Sequence, residues 1–272
     1  SAFEGCSSLK RIVIPEGVRS IREKTFCECT ALQEIRLPDG LELIGRSAFS
    51  ECEALQEVRL PEGLKEIGSD AFSSCRSLRQ ITIPAGVKCI ESGTFWKCTA
   101  LQEAHLPEEL EQIGMFAFEA CDTLTRIVLP ASLKQLCRGA FENCTSLLEA
   151  QLPDGLEELQ DDAFEYCRSL QKVTIPAQVR QIERAAFYYC QSLQEVQLPE
   201  ELNEIGEDAF AHCWALKRIV IPAGVEKVGE HAFWECYSLQ NIAVLSDDTE
   251  IAEDAFCLLY TSPSPRDYAA SR

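Results

Sequence analysis

The side chains of this chain that are best suited to chemistry are 15 cysteines and 3 histidines. Thiolates and imidazoles bind zinc, and both can act in nucleophilic catalysis when a neighbouring group accepts the proton. His105, His212 and His231 occupy three different positions of an internal repeat, so they do not build one recurring site. The sequence also has no HExxH, GxSxG or phosphate-cradling glycine motif. We therefore expect no cofactor and no enzymatic activity.

Most of the cysteines follow a spacing of 23 residues. Those on this spacing are Cys6, Cys29, Cys52, Cys75, Cys98, Cys121, Cys144, Cys167, Cys190, Cys213 and Cys236. If the copies stack, equivalent Cα atoms lie about 4.8 Å apart, which a disulfide tolerates. An odd number of parallel side chains does not pair systematically, however, and a linear column cannot surround zinc tetrahedrally. Buried reduced thiols are the preferred interpretation, with occasional disulfides or metal binding as alternatives.

The cysteines belong to a repeat that is defined by phenylalanine. Twelve of the 13 phenylalanines recur every 23 residues, from Phe3 to Phe256. Counting each of them as position 0, Cys lies at +3, Leu at +6 and apolar residues at +9, +11, +15, +18 and +22, while ten of the 12 prolines lie at +12. One copy has enough apolar residues to line one coil but not to close a core, so neighbouring copies must stack. We number the coils 1 to 11 from Phe3 to Phe233.

Positions +7 to +11 alternate outward and inward residues, as "QKVTI" does, which predicts a half-buried strand. The proline at +12 ends that strand because it lacks an N–H donor. The apolar pair at +15 and +18 predicts a short return strand or turn, and the frequent glycine at +19 predicts a positive φ. The "AFxxC" segment is expected to form a tight helical turn. Helical-hairpin repeats need about 33 residues, so the fold class is a parallel β-solenoid.

The consensus "LxxIxIPxGVxxIGxxAFxxC" resembles the BspA-like leucine-rich repeat, a 23-residue class also associated with treponemal surface proteins. The resemblance covers residues 1 to about 256. It implies a right-handed leucine-rich-repeat coil of about eleven repeats with a parallel sheet on its concave face. It also implies binding rather than catalysis, in an extracellular or cell-surface protein. The family does not fix which residues bind, so no site residue follows from it.

The formal net charge of −19 restricts the partners, because nucleic acid and anionic lipid are themselves negatively charged. The sequence has no apolar run of 18 residues that would predict a membrane span. We therefore expect a protein or glycan ligand, no nucleic acid and no membrane insertion in this segment.

Two surfaces are candidates for binding that ligand. The outward residues at +8 alternate in sign from Glu103 to Arg218, which predicts cross-coil ion pairs and a 46-residue double unit. Next to them lie neutral residues at +10, among which His105, Gln151 and Gln197 are candidate binding residues. The second surface is the edge formed by the "AFxxC" turns. Its candidate residues are Tyr166, Tyr188, Tyr189, Trp214, Trp234 and Tyr237. These rings either pack along the edge or anchor a partner.

The repeat fails after Phe256, where Leu259 stands in place of Cys and Ser262 in place of Leu. The segment 257–267 resembles translated sequencing-adapter sequence, so we divide the chain into a solenoid at 1–256 and a non-native or disordered tail at 257–272. Neither end has a recognisable capping repeat, which is expected of a fragment. The preferred function is a non-enzymatic, adhesin-like binding scaffold. The alternative is a purely structural spacer in a larger surface protein.

Overall fold

The computed structural model describes residues 2–257, and within that range it contains 21 β-strands and no helix. The strands form two columns. The long strands, at positions +8 to +11, are β1 (Arg11–Val13), β3 (Glu34–Arg36), β6 (Gln80–Thr82), β8 (Glu103–His105), β10 (Arg126–Val128), β12 (Glu149–Gln151), β14 (Lys172–Thr174), β16 (Glu195–Gln197), β18 (Arg218–Ile221) and β20 (Asn241–Val244). The short strands, at +17 and +18, are β2 (Ser20–Ile21), β4 (Leu43–Ile44), β5 (Glu66–Ile67), β7 (Cys89–Ile90), β9 (Gln112–Ile113), β11 (Gln135–Leu136), β13 (Glu158–Leu159), β15 (Gln181–Ile182), β17 (Glu204–Ile205), β19 (Lys227–Val228) and β21 (Glu250–Ile251).

All strand pairs are parallel and join residues that are 23 positions apart, such as Glu149 and Lys172. The longest run on the long-strand face is β10-β12-β14-β16, and the longest on the opposite face is β13-β15-β17-β19-β21. The predicted parallel β-solenoid is therefore confirmed. The predicted tail lies outside the described residues, apart from Cys257.

The interior is a set of columns, one for each apolar position of the repeat. The ring of every repeat phenylalanine from Phe26 to Phe233 is fully buried. Consecutive rings from Phe3 to Phe256 stack with centroids 5.0–5.7 Å apart and interplanar angles of 2–18°. Each offset pair contributes about 0.5–1.5 kcal/mol beyond the burial of its area. The phenylalanine column predicted from the sequence is thus confirmed, and it holds each coil to the next.

The "AFxxC" segment is not the helical turn that the sequence predicted. The residues two positions before and after each repeat phenylalanine from Phe26 to Phe233 have positive φ, for example 50° at Ser47 and 61° at Glu51 on either side of Phe49. The backbone N–H groups of these three residues donate to carbonyls of the next coil at 2.8–2.9 Å. In a helix the same N–H groups would bond within their own segment. The left-handed residues turn them towards the neighbouring coil, so the turns form a third hydrogen-bonded column.

The glycines at +19 were also predicted wrongly, because none of them has a positive φ. Their role is a close approach of two backbones. A Cβ built on Gly45, Gly68, Gly114 or Gly229 would lie 2.7 Å from a backbone nitrogen of the preceding coil. A side chain at these sites would push neighbouring coils apart.

Candidate functional site

A cluster of aromatic rings lies along the turn edge of coils 8 to 11, and we call it the aromatic edge. Its members are Tyr166, Tyr188, Tyr189, His212, Trp214 and Tyr237. They project from positions +1, +2 and +4, immediately after a buried phenylalanine, so the rigid column fixes their spacing. Successive members are in contact, and the ring centroids are 4.1 to 6.4 Å apart. The structure therefore brings five of the six predicted edge residues into one surface.

The members of the aromatic edge differ in exposure. The three tyrosines of coils 8 and 9 are half-buried, whereas Trp214 and Tyr237 are 38% and 43% exposed. The sixth predicted residue, Trp234, packs edge-on against His231 with centroids 4.6 Å apart. The inner rings thus pack along the edge, which is the first of the two interpretations given from the sequence. The outer two rings present their surface to solvent, as the second interpretation, a partner anchor, requires.

His212 is a member of the aromatic edge that the sequence analysis did not select. Its ring stacks on Tyr189 at 4.1 Å and meets the edge of Tyr188 at 5.2 Å. The buried Nδ1 atom lies 3.0 Å from Glu235 Oε2, but the angle does not make a hydrogen bond. The signal was present in the sequence, because His212 occupies position +2, as Tyr166 and Tyr189 do.

Carboxylates line the aromatic edge on its coil 7 and 8 side. Burial raises the pKa of Glu142 to about 7, and the neighbouring carboxylates of Glu119 and Asp162 add to this rise. Burial also raises the pKa of Glu165 to about 7, with further contributions from Asp162 and Glu142. Because Glu165 directly precedes Tyr166 in the chain, this acidic group adjoins the rings. The edge is therefore both aromatic and negatively charged at neutral and higher pH.

The carboxylate of Asp162 is the anchor of this acidic group. Its side chain is only 5% exposed and lies between Arg138, at 2.9 Å, and Arg184, at 3.3 Å. Two guanidinium groups on neighbouring coils thus compensate one buried charge, as a buried carboxylate requires. The arrangement links coils 6, 7 and 8 behind the aromatic edge.

The long-strand face carries the charge alternation that the sequence predicted. The register places Arg126 beside Glu149, Glu149 beside Lys172 and Lys172 beside Glu195. Among the described residues of the predicted series, an ion pair within 4 Å forms only between Glu195 and Arg218. The alternation therefore sets which charges face each other and makes few direct contacts.

The candidate residues on this face do not form one cluster. His105, Gln151 and Gln197 are exposed on β8, β12 and β16, and Thr174 separates the two glutamines in the register. The imidazole of His105 lies 3.6 Å from Glu103 of the same strand. These three residues remain a prediction of the sequence.

The sequence analysis missed a second series of charged residues, which lies at position +16 of the repeat. Glu42 lies 2.7 Å from both Arg19 and Lys65, and these hydrogen bonds, that to Lys65 foremost, lower its pKa. Glu111 lies between Lys88, at 3.9 Å, and Lys134, at 3.1 Å, in the same way. The sign alternation at +16 was readable from the sequence in the same manner as that at +8.

The cysteines are free thiols, and those on the repeat have a structural partner. From Cys29 to Cys236, each Sγ donates to the backbone carbonyl of the phenylalanine that opens the preceding coil, at 3.0–3.4 Å. Burial raises the pKa of these thiols, that of Cys98 to about 12, so the nucleophilic thiolate is scarce. In the described part of the chain, no group of three or more His, Cys, Asp or Glu side chains is arranged to hold a metal ion. No helix there is long and apolar enough to cross a membrane.

Solved structures with this architecture are leucine-rich-repeat proteins. One from Bacteroides ovatus ATCC 8483 is 30% identical, has a TM-score of 0.70, and the match covers 94% of this chain and 79% of that one. A leucine rich cell surface protein from Faecalibacterium prausnitzii A2-165 is 24% identical with a TM-score of 0.55, over 94% of this chain and 83% of that one. The pneumococcal vaccine antigen PcpA, at 18% identity, a TM-score of 0.55 and coverage of 94% and 72%, shares the fold.

The repeat, the stacked columns and these similarities define a leucine-rich-repeat solenoid. The sequence matches the family described as "BspA type Leucine rich repeat region (6 copies)" over residues 1–121, 65–193 and 157–261. The chain belongs to this family, and the resemblance noted from the consensus is confirmed. No curated protein sequence matches the chain.

Proposed function

We propose that the chain is a non-enzymatic binding scaffold that recognises a protein partner at the aromatic edge, as part of a cell-surface protein. The observation that carries the proposal is the exposure of Trp214 and Tyr237 at the outer end of a continuous run of packed rings. Aromatic side chains held rigidly in place lose little entropy on binding and dominate the energetics of protein interfaces. The family supports the coarser part of this proposal, since it is a repeat scaffold and not a known enzyme family.

The charge beside the rings indicates the chemistry of the partner. Glu142 and Glu165 adjoin the aromatic edge, and the whole chain carries a formal charge of −19. Complementary charge speeds encounter and selects partners, and Lys or Arg side chains also bind the faces of Trp and Tyr. A basic segment of a protein therefore fits this edge better than an acidic one.

The proposal is tested by measuring binding to a panel of immobilised extracellular-matrix proteins and neutral glycans. For a protein that binds, we expect Trp214→Ala combined with Tyr237→Ala to weaken affinity at least tenfold, because interface aromatics contribute about 2 kcal/mol or more. Val128, an equally apolar residue that is 68% exposed on the long-strand face, gives the matched control Val128→Ala, which should leave affinity unchanged.

The same titration has a pH arm. The pKa values of Glu142 and Glu165 are about 7, so both carboxylates are charged at pH 8 and largely protonated at pH 6. A basic partner should therefore bind more weakly at pH 6 than at pH 8, and Glu142→Gln combined with Glu165→Gln should reduce this difference. Equal binding by the aromatic double variant and the native chain would contradict the proposal.

The alternative function is a structural spacer that holds other parts of a surface protein apart. The uninterrupted phenylalanine stack favours it, because stacked coils make a stiff body. Two results together would favour this alternative. The native chain would bind no ligand of the panel, and removal of the aromatic edge would abolish no interaction. Binding of neutral glycans that depends on Trp214 would instead transfer the proposed site to a saccharide ligand.

A further inference from the structure

Three glutamates directly follow three consecutive phenylalanines of the buried column. Glu119, Glu142 and Glu165 occupy position +1 in coils 6, 7 and 8, and all three are half-buried. The phenylalanine rings before them lie 5.4 and 5.5 Å apart, so the glutamate side chains leave the turns at a similar spacing. At position +1 no other neighbouring coils both carry charged residues. We call these three residues the glutamate column.

Backbone hydrogen bonds hold the glutamate column between neighbouring turns. The N–H of Ala120 in coil 6 donates to the carbonyl of Glu142 in coil 7 at 2.8 Å. The N–H of Asn143 in coil 7 donates in the same way to the carbonyl of Glu165 in coil 8, at 2.7 Å. Because these bonds join the turns at the glutamates themselves, repulsion between the glutamate side chains acts directly on them.

The positive charge around the glutamate column does not balance its negative charge. The guanidinium groups of Arg138 and Arg184 lie nearby, but both pair with Asp162, at 2.9 and 3.3 Å. Among the described residues, no cation lies within 4 Å of a carboxylate of the column. Glu142 Oε1 only accepts a hydrogen bond from Asn143 Nδ2, at 3.2 Å. With Asp162 the group holds four carboxylates and two guanidinium groups, and uncompensated charge is costly where it is partly removed from water.

Binding of protons removes this excess of charge. The pKa values of Glu142 and Glu165 are about 7, and burial is the largest cause for both. The charged groups that face Glu142 are Glu119, Asp162 and Arg138, and those that face Glu165 are Asp162, Glu142, Arg184 and Arg138. The other titratable neighbours have a raised pKa and are uncharged at neutral pH, and they are the thiols of Cys144, Cys167 and Cys190 and the phenols of Tyr166 and Tyr188.

We propose that the glutamate column is a pH-sensitive switch that tightens the turns of coils 6 to 8 in acid and loosens them in base. When protonated, the side chains no longer repel one another, and each gains an O–H donor for its neighbours. When ionised, they weaken the hydrogen bonds between the turns. Because Tyr166 follows Glu165, the switch acts on the inner end of the aromatic edge. It is a property of the free chain and does not depend on the partner proposed for that edge.

The sign of the effect on stability follows from the two pKa values. Each glutamate has a pKa of about 7 in the folded chain and an ordinary value of 4.5. Between these values the folded chain binds up to two protons that the unfolded chain releases. The stabilisation by protonation is therefore fully present below pH 4.5 and is lost as the pH rises to about 7.

Hydrogen exchange of the free chain tests the turns directly. We expect the protection factors of the Ala120 and Asn143 amides to be at least tenfold lower at pH 8 than at pH 5, because the turns open locally. The amides of Glu28 and Glu51 are matched controls with unchanged protection factors, since they donate to carbonyls of the uncharged residues at +1 in coils 3 and 4. The same pH response in both pairs of amides would overturn the proposal.

Variants assign the effect to the glutamates. Glu142→Gln combined with Glu165→Gln keeps the size of both side chains but cannot ionise, so this variant should melt with the native chain at pH 5 and above it at pH 8. Glu28→Gln combined with Glu51→Gln removes two exposed glutamates from the turns of coils 2 and 3. Its difference from the native chain should be the same at both pH values. If the Glu142 and Glu165 variant melts at the native temperature at pH 8, the switch is contradicted.

A titration of the native chain checks the protons themselves. The side-chain carboxyl signals of Glu142 and Glu165, followed by carbon-13 NMR and assigned with the single glutamine variants, should have midpoints near pH 7. Midpoints at the ordinary value for glutamate would refute the proposal whatever the binding panel shows. Because no partner is present in these three measurements, their failure leaves the proposed binding at Trp214 and Tyr237 untouched.

Discussion

The thiol of each repeat cysteine fills a small buried space and also donates a hydrogen bond. In coil 7, Cys144 Sγ lies 3.2 Å from the carbonyl of Phe118, which already accepts the N–H of Cys121. Alanine would fill part of the space without donating. Serine would donate but would place a more polar group among apolar side chains. Cysteine satisfies both conditions, which accounts for its recurrence without any redox or catalytic role.

We predict that Cys144→Ala lowers the free energy of unfolding by about 1–2 kcal/mol, the sum of a weak buried hydrogen bond and a small cavity. Urea denaturation measures the change. Cys89→Ala is the control, because Cys89 lies off the repeat and is only half-buried, and it should cost less than about 0.5 kcal/mol. Equal costs for the two variants would contradict the role assigned to the column.

At the scale of the element, the "AFxxC" turns have an unusual backbone. Together they contain eighteen residues other than glycine with a positive φ. Residues that carry a side chain rarely adopt this backbone conformation, because it costs about 1–2 kcal/mol for each residue. Bonds of their N–H groups to the next coil offset the cost, as Ala120 shows with its donation to the carbonyl of Glu142 at 2.8 Å. The turn is therefore held by its neighbours and not by its own sequence.

A glycine at such a position should stabilise the protein. Ala120 has a φ of 55°, and we predict that Ala120→Gly raises the free energy of unfolding by about 0.5–1 kcal/mol. Ala131→Gly is the control, because Ala131 is exposed and has a negative φ, and it should lower stability by a similar amount. Thermal and urea unfolding both report the difference. A loss of stability in Ala120→Gly would mean that the positive φ carries no cost in this turn.

The elements show which features of the fold the sequence predicts. The strand at +7 to +11 and its end at proline follow from side-chain alternation and a missing donor, and both are properties of a single coil. The turn conformation at residues such as Glu51 depends on hydrogen bonds between coils, so no sequence pattern within one coil predicts it. The glycines at +19, such as Gly45, were assigned to a bend for the same reason, since the approach of the preceding backbone is not visible in one coil.

At the scale of the whole molecule, the sequence predicted most residues of the candidate site but not all of them. Tyr166, Tyr189 and Trp214 could be placed on one edge from the sequence, because the repeat assigns each residue a fixed position around the coil. His212 was overlooked although it shares position +2.

The alternation of charge affects the whole solenoid, because neighbouring coils have equivalent apolar residues but charges of opposite sign. Signs repeat every 46 residues at position +8, where Glu103, Arg126, Glu149 and Lys172 follow one another. They alternate in the same way at position +16, from Glu111 through Lys134 and Glu157 to Arg180. The stacking of phenylalanines permits the removal of any whole coil, whereas the charges favour the removal of coils in pairs.

Deletion of one coil and of two coils therefore should differ. Removing residues 126–148 brings Glu103 beside Glu149 and Glu111 beside Glu157, whereas removing residues 126–171 brings Glu103 beside Lys172 and Glu111 beside Arg180. Each rung contributes about 0.2–1 kcal/mol, with a sign that depends on the charges. Salt screens exposed charges, so we predict that the melting temperature of the one-coil deletion rises more steeply with salt than that of the two-coil deletion. Glu149→Gln and Glu157→Gln in the one-coil deletion should remove the excess rise, and an identical salt response in both deletions would show that the charge series does not set the register of the coils.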